Sequence, residues 1–304
     1  MKNLIAFTID ENYLEPFMVA IQSFIAHHDV NQYEIALVHS NISKKNIQKI
    51  KTYMQSYNIY FKEVYIEDEF KTIKVGYHFN SVIFYRLLLP KIFREYKKIL
   101  YIDSDILFLK NIDELFKIDL NENILAAIPK HEHFLIPTYL QHKTKDYFAS
   151  GLLLINTQKF IDNKIYEKCL KFLKNEKYEM PDQDALNATV NQWIQLDLEY
   201  GVETAFLEKN DNELSQRIQN PRIIQFSGSS KPWHFRNNHP YKNLYWKYLK
   251  MTPFKRYIPE DLTVFNVFKW MIPKKIKEFM SSIKKSVNNV IKKNRPTESS
   301  RTKR

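Results

Sequence analysis

Cysteine occurs once, at Cys169, so no disulfide can form within the chain, and such sparing use fits a reducing compartment. Cys169 follows Ile161 and Ile165 and precedes Leu173 at helical spacing, which predicts a buried structural thiol rather than a nucleophile. Glycine is nearly as scarce: only Gly76, Gly151, Gly201 and Gly228 occur, so each one asks for a local reason such as a tight turn or a close approach. No stretch reaches the roughly 20 uninterrupted apolar residues that cross a bilayer, and Asp10 and Glu11 interrupt the first apolar run too early for a secretory leader. A soluble or peripheral protein is expected.

The hydrophobic fraction of 44% over 304 residues is enough for one substantial core plus an appendage, and it excludes a disordered chain. The net charge is +12, but 271–304 holds eleven Lys or Arg against two Glu, so +9 of it lies in the last 34 residues. The first 270 residues are close to neutral.

Apolar runs alternate with helical periodicity along the body. Strands are predicted at 3–9, 33–39, 59–65, 98–102, 124–128, 151–155 and 222–226, and helices at 13–27, 43–54, 81–89, 163–173 and 182–192. The alternation predicts an α/β fold with a mostly parallel central sheet flanked by helices. Pro90 should bring the 81–89 helix to its end. One catalytic domain is expected over 1–254, and a basic amphipathic tail over 255–304.

In that tail Ile272, Ile276, Phe279, Met280, Ile283, Val287, Val290 and Ile291 recur every three or four residues among lysines, behind Phe265, Phe268 and Trp270. A basic amphipathic helix suits an anionic lipid surface, so peripheral attachment through 265–304 is expected. A helix packed on the body is the alternative. Nucleic acid is not an expected partner.

Asp103 and Asp105 stand two apart immediately after the apolar run Ile-Leu-Tyr-Ile. In extended backbone both carboxylates project to one side while Ser104 points away. Two carboxylates at the carboxyl end of a strand make a site for a hard cation, Mg or Mn, to which a diphosphate would add further oxygens.

The segment Lys-Ile-Leu-Tyr-Ile-Asp-Ser-Asp-Ile-Leu, 98–107, resembles the metal-binding segment of the family 8 glycosyltransferases, which include glycogenin and bacterial lipooligosaccharide galactosyltransferases. The likeness continues in order through Phe7-Thr-Ile-Asp-Glu-Asn-Tyr13, Tyr85-Arg86-Leu-Leu, Gly151-Leu-Leu-Leu-Ile-Asn156, Asp182-Gln183-Asp184-Ala-Leu-Asn187 and Gly228-Ser-Ser-Lys231-Pro-Trp233. It implies a GT-A fold and a retaining transfer of a hexose from a UDP-sugar to a glycan or glycolipid acceptor, with Mn or Mg as cofactor. It would place Asp10, Asn12 and Tyr13 on uridine and ribose, Arg86 on the donor sugar or phosphates, the Asp103-Ser104-Asp105 segment on the nucleotide, and Gly228 and Lys231 on the diphosphate. Gln183 would lie near the anomeric carbon and Asp182 would orient the donor hydroxyls. The metal ligands would be Asp103, Asp105 and the residue at 225.

Three positions depart from the family pattern. Ala149 replaces an Asn, Gln225 replaces a metal-binding His, and an acidic residue is missing near Pro129. These departures keep open a catalytically weak or degenerate sugar-nucleotide-binding protein anchored by its tail. His78 and the stretch with His131, His133, Tyr139 and His142 are candidates for the acceptor side. Work at the inner face of the cytoplasmic membrane is the expected setting.

Overall fold

The computed structural model describes residues 2–71, 73, 80–130, 136–203, 220–228 and 231–271. His78, His131, His133 and the tail from 272 onward lie outside the described residues. The chain divides into two compact units, one of 1–232 with 239–257 and one of 233–238 with 258–304.

The larger unit is built on a seven-stranded sheet in the order β3-β2-β1-β4-β7-β6-β8. β1 (Asn3–Thr8), β2 (Tyr33–His39) and β3 (Tyr60–Tyr65) run parallel, with β4 (Lys98–Ile102) parallel on the other side of β1. Leu4, Ile5, Ala6 and Phe7 are almost wholly buried, as expected of a strand covered on both faces. β7 (Phe148–Asn156) is antiparallel to both β4 and β6 (Leu125–Pro129), and β8 (Trp193–Gln195) closes the edge parallel to β6. The sheet is therefore mixed and mostly parallel.

The antiparallel turn of β7 decides where the site forms. Ile102, last in β4, faces Leu152, so the beginning of β7 meets the end of β4. The register between β6 and β7 jumps from Ala127↔Leu153 to Ile128↔Ala149, an irregularity that frees Ser150 and Gly151 from pairing with β6. Such bulges commonly re-aim side chains beside active sites.

A second sheet has the order β5-β10-β9, formed by Ile106–Phe108 (β5), Ile223–Gln225 (β10) and Val202–Glu203 (β9). β10 is antiparallel to β5, with Gln225 opposite Ile106. Helix α1 (Leu14–Ile25) is buried almost all round, and its Ser23 hydroxyl accepts the N–H of Phe108 at 3.0 Å. Helix α2 (Lys44–Ser56) starts at Ser43, whose side chain accepts the Asn46 N–H. The strand predicted over 222–226 forms over Ile223–Gln225 and pairs with β5 in this second sheet.

The predicted helix 81–89 is a 3-10 helix, Ser81–Leu88, followed by one α turn, α3 (Leu89–Ile92). Pro90 begins that turn rather than ending a helix, because a missing N–H costs nothing in a first turn. Next come α4 (Thr157–Asp162), α5 (Ile165–Asn175) and α6 (Pro181–Thr189). Cys169 lies fully buried in α5 against the Thr189 hydroxyl, and burial pushes its thiol up to about 12, so it is the inert structural thiol expected. Asn187 of α6 grips both the N–H and the carbonyl of Phe148, at 2.8 and 2.9 Å, and so docks α6 on the start of β7.

Helix α7 (Lys242–Leu249) completes the first unit. In the second unit, α8 (Val264–Met271) carries Val264, Phe265, Phe268 and Met271 largely exposed. No helix among the described residues is long and apolar enough to cross a membrane.

Candidate active site

Asp103 follows the last residue of β4, and its N–H is held by the Gly151 carbonyl at 2.8 Å. One carboxylate oxygen accepts from Arg86 Nη2 at 3.1 Å and from the Tyr101 hydroxyl at 2.5 Å, while the other accepts from Gln225 Nε2 at 2.9 Å. Burial pushes the Asp103 carboxyl up to about 6, against the pull of Arg86 and with the added repulsion of Asp105. Asp105 pairs with Lys231 Nζ at 2.6 Å, and its carbonyl accepts the Phe226 N–H at 2.8 Å. Lys231 also donates to the Phe226 carbonyl.

Arg86 projects from the 3-10 helix and is buried. Its Nε donates to the Ile83 carbonyl, and Nη1 donates to the Ser150 carbonyl at 2.7 Å and meets Asp182 at 3.0 Å. Nη2 reaches Asp103, and the guanidinium lies over the Tyr101 ring at 4.4 Å. One cation thus joins the buried Asp182 to the partly buried Asp103, 79 residues apart in the sequence. A planar fork with fixed donors suits this bridging better than an ammonium would.

Asp182 and Gln183 sit in the first turn of α6, both buried. Asp182 accepts the Ser150 hydroxyl at 2.7 Å. Gln183 accepts the Ser150 N–H at 3.1 Å and donates to the Tyr147 hydroxyl at 3.1 Å. Asp184, fully buried, accepts from the hydroxyls of Tyr147 and Tyr139 and from the N–H groups of Glu179 and Met180. It satisfies the orphan donors that precede α6, where Met180 offers no side-chain cap.

The uridine candidates stand differently. The Asp10 carboxylate already accepts the Asn12 N–H, the Asn12 amide and the Asn80 amide, so its first role is to cap the 3-10 turn Glu11–Tyr13. Tyr13 is more than a third exposed; burial of its hydroxyl and the charges of Asp105, Asp103 and Asp10 hold its phenol above the usual range. Gly228 has φ +81°, a left-handed conformation that favours glycine, with open space where a Cβ would stand. Ser104 is buried between the two aspartates.

The residues present fit a hard divalent cation. Asp103 and Asp105 offer carboxylate oxygens and Gln225 an amide oxygen, brought alongside by the β5–β10 pairing. Gly151 leaves the room: a Cβ there would lie 2.3 Å from Gln225 Nε2 and 2.8 Å from Asp103 Oδ2. Among the described residues no group of three His, Cys, Asp or Glu gathers, so a site built on His or Cys is not formed by them. Gln225 turns its amide nitrogen towards Asp103, so a half-turn of that amide would present its oxygen.

The family model "Glycosyl transferase family 8" matches residues 4–237. The chain belongs to this family. General stress protein A of Bacillus subtilis (strain 168) is 28% identical over 191 residues, 58% of this chain and 67% of that protein. Glycosyltransferase GlyF of Streptococcus pneumoniae serotype 4 is 26% identical over 82% of this chain, which spans only 61% of GlyF. Lipopolysaccharide 1,2-glucosyltransferase of Escherichia coli (strain K12) is 24% identical, covering 84% of this chain and 80% of that enzyme. Among solved structures, the galactosyltransferase LgtC in complex with donor and acceptor sugar analogues superposes with a TM-score of 0.70 at 23% identity, over 85% of this chain and 98% of LgtC. That likeness gives the GT-A fold of the family.

The structure brings Arg86, Asp103, Asp105, Asp182, Gln183, Gln225 and Lys231 into one linked group. Sequence reasoning missed Tyr101, Tyr147 and Ser150, which hold the others in place. Ser150 carried a signal: it stands beside Ala149, where the family pattern loses its Asn, and its hydroxyl supplies a polar contact one residue on.

Proposed function

We propose that this chain is a retaining hexosyltransferase, taking a hexose from a UDP-sugar to a glycan or glycolipid acceptor such as lipooligosaccharide or another bacterial surface saccharide. The observation that carries the reading is the Arg86 bridge between Asp103 and Asp182, which joins the cation-binding segment to the segment assigned to the donor sugar. Asp103, Asp105 and Gln225 would hold Mn or Mg, which when bound neutralises negative charge on the departing diphosphate. Lys231, now on Asp105, lies where it can turn its charge to the same phosphates, as Gly228 opens the backbone beside it. Asp182 would orient the donor hydroxyls.

A retaining glycosidase places two carboxyl groups about 5–5.5 Å apart and uses one as nucleophile. The residue assigned here to the anomeric carbon is an amide, Gln183, a poor nucleophile, and its neighbours Asp182 and Asp184 are tied to Arg86, Ser150 and two tyrosines. We therefore favour attack by the acceptor on the face from which UDP departs, with Gln183 supporting positive character at the anomeric carbon. A solved active-site mutant of LgtC, with Gln changed to Glu, supports attention to such a residue. Release of UDP from UDP-glucose, UDP-galactose and their N-acetylated forms, with Mn and with Mg, tests the reading; no turnover of any donor alongside tight UDP binding would favour a degenerate binder. Turnover lost in Gln183→Ala with UDP binding retained would support the role at the anomeric carbon.

The second unit supports attachment to an anionic membrane through 265–304, at the inner face of the cytoplasmic membrane. Phe265 and Phe268 are each 70% exposed on α8, and 271–304 is strongly basic. Sedimentation of the full chain with anionic liposomes, weakened by salt and lost when 265–304 is removed, is the expected result.

A further inference from the structure

The hydrogen-bond polarity around Gln183 leaves its amide a single orientation. The Ser150 N–H is a fixed backbone donor and meets Oε1 at 3.1 Å, so the atom on that side has to be the carbonyl oxygen. On the other side Nε2 lies 3.1 Å from the Tyr147 hydroxyl, whose proton goes to the Asp184 carboxylate. A hydroxyl that gives its proton to a carboxylate can only accept from the amide, so the atom facing Tyr147 has to be the nitrogen. Asp184 is held in turn by Tyr139 at 2.9 Å and by the N–H groups of Glu179 and Met180 at 2.8 and 2.9 Å. The same Ser150 gives its hydroxyl to Asp182 and its carbonyl to Arg86. The oxygen edge of the amide therefore lies towards the Arg86–Asp103–Asp182 group.

We propose that Tyr147, set by Asp184, is a positioning residue that fixes which edge of the Gln183 amide the donor sugar meets. The inference rests on the role given above to Gln183. Orientation matters in sign: a carbonyl oxygen carries partial negative charge and favours positive character at the anomeric carbon, whereas an NH2 edge opposes it. Buried amides turn over only when both edges find partners, and here neither edge would.

Tyr147→Phe keeps the ring and removes the hydroxyl that, among the described residues, accepts from Nε2. The expected result is a fall in kcat for UDP release of about ten-fold or more, with the Kd for UDP measured by calorimetry within about three-fold of wild type. Gln183→Glu keeps an oxygen towards the donor but replaces the NH2 that Tyr147 accepts with an oxygen, which the hydroxyl can satisfy only by leaving Asp184, so the displaced network should cost at least ten-fold in kcat alone. In the Tyr147→Phe background that change should cost markedly less, because the opposing lone pair is gone. Wild-type kcat in Tyr147→Phe, or losses that simply multiply in the double variant, would overturn the proposal. If Tyr147→Phe fails to fold, Gln183→Glu decides alone: wild-type kcat there would show that polarity at this edge is immaterial. Wild-type turnover in Gln183→Ala would instead remove the reading of Gln183 itself, whereas an inactive Gln183→Ala beside a fully active Tyr147→Phe removes only the positioning role.

Discussion

Asp103 and Asp105 are separated by one residue, yet the molecule secures them by opposite means. Asp103 faces inward to the rigid side of the site, where Arg86, Tyr101 and the start of β7 are all set by strands and packed helices. Asp105 faces the side made by β10 and the chain after it, where Lys231 arrives from 126 residues away past the left-handed Gly228. Preorganisation by the sheet thus stands beside a partner that can be exchanged. A cation held between them would be expected to displace Lys231 from Asp105 before it disturbs the contacts of Asp103.

The largest effect should come from breaking the rigid side. Arg86→Met leaves the buried Asp182 and the partly buried Asp103 without their shared cation, which should lower stability by about 3–5 kcal/mol in chemical denaturation. Arg86→Lys should not restore it, since an ammonium cannot hold Ile83, Ser150 and both carboxylates at once. Lys231→Met, facing a single carboxylate, should cost less. A larger loss from Lys231→Met would invert the comparison.

Asp105→Asn should reduce metal-dependent UDP release by about a hundred-fold or more while leaving the melting temperature near wild type. Asp103→Asn should match it in activity but lower the melting temperature, because its carboxylate also answers Arg86 and Tyr101. The bridge to Arg86 separates the two. Equal melting temperatures for the two variants would remove the distinction drawn between the two sides.

Acid tests the support behind β5, on the second side. His28 stacks on Phe24 at 4.0 Å, its Nδ1 lies 2.9 Å from the Phe24 carbonyl, and Nε2 accepts the Ile112 N–H at 3.0 Å; it also meets Phe108 of β5 edge-on. Burial holds its imidazole down to about 4, against the Phe24 carbonyl and Asp113 and with the help of His27. The unfolded ring takes a proton near 6.5 that the native ring refuses until about 4. Stability should therefore fall as pH drops from about 6.5 to 4, by an amount of order 1–3 kcal/mol from this group. His28→Gln, which keeps a donor and an acceptor, should flatten that slope in urea titrations run across the interval; an unchanged slope would clear His28 of the effect.

How much of this was legible in the residues depended on distance along the chain. β1, β2 and β4 announced themselves as short apolar runs, and Ser43 and the Asp-Ser-Asp segment were local signals that the structure keeps. The direction of β7 was not local: nothing in Gly151-Leu-Leu-Leu-Ile tells a parallel strand from an antiparallel one, and that direction is what delivers Ser150 and Gly151 to Asp103. β5, β8 and β9, two or three residues long, are too short to show a period. Tyr147 and Tyr101 looked like core aromatics because both are buried in the core, and their hydroxyls reach Asp184 and Asp103 only once the fold is formed. Asp10 shows what a sequence pattern leaves out: its carboxylate caps the Glu11–Tyr13 turn and accepts the Asn80 amide from 70 residues away.

The smallest and sharpest effect belongs to Gln225, where the two sides touch. A Gln amide offers a neutral oxygen, adequate for Mg or Mn, whereas imidazole favours later transition metals and binds Mn more readily than Mg. In the structure that amide donates its nitrogen to Asp103, so ligation through its oxygen first gives up a hydrogen bond to that partly buried carboxylate. Both features would make the site weaker than one with His at this position. Gln225→His should tighten Mn binding in the presence of UDP by a few-fold, leave Mg binding nearly unchanged, and introduce a loss of Mn affinity as pH falls through the imidazole range, because a protonated ring cannot ligate. The room for either side chain comes from Gly151, where a Cβ would stand 2.3 Å from Gln225 Nε2. Gly151→Ala should therefore weaken Mn binding in wild type and cancel the gain in Gln225→His. Titrating Mn against the three variants, each with UDP, by calorimetry reads this directly. Equal Mn affinity in wild type and Gln225→His would mean that the side chain at 225 points away from the cation, and the donor set would then be the two aspartates with the diphosphate.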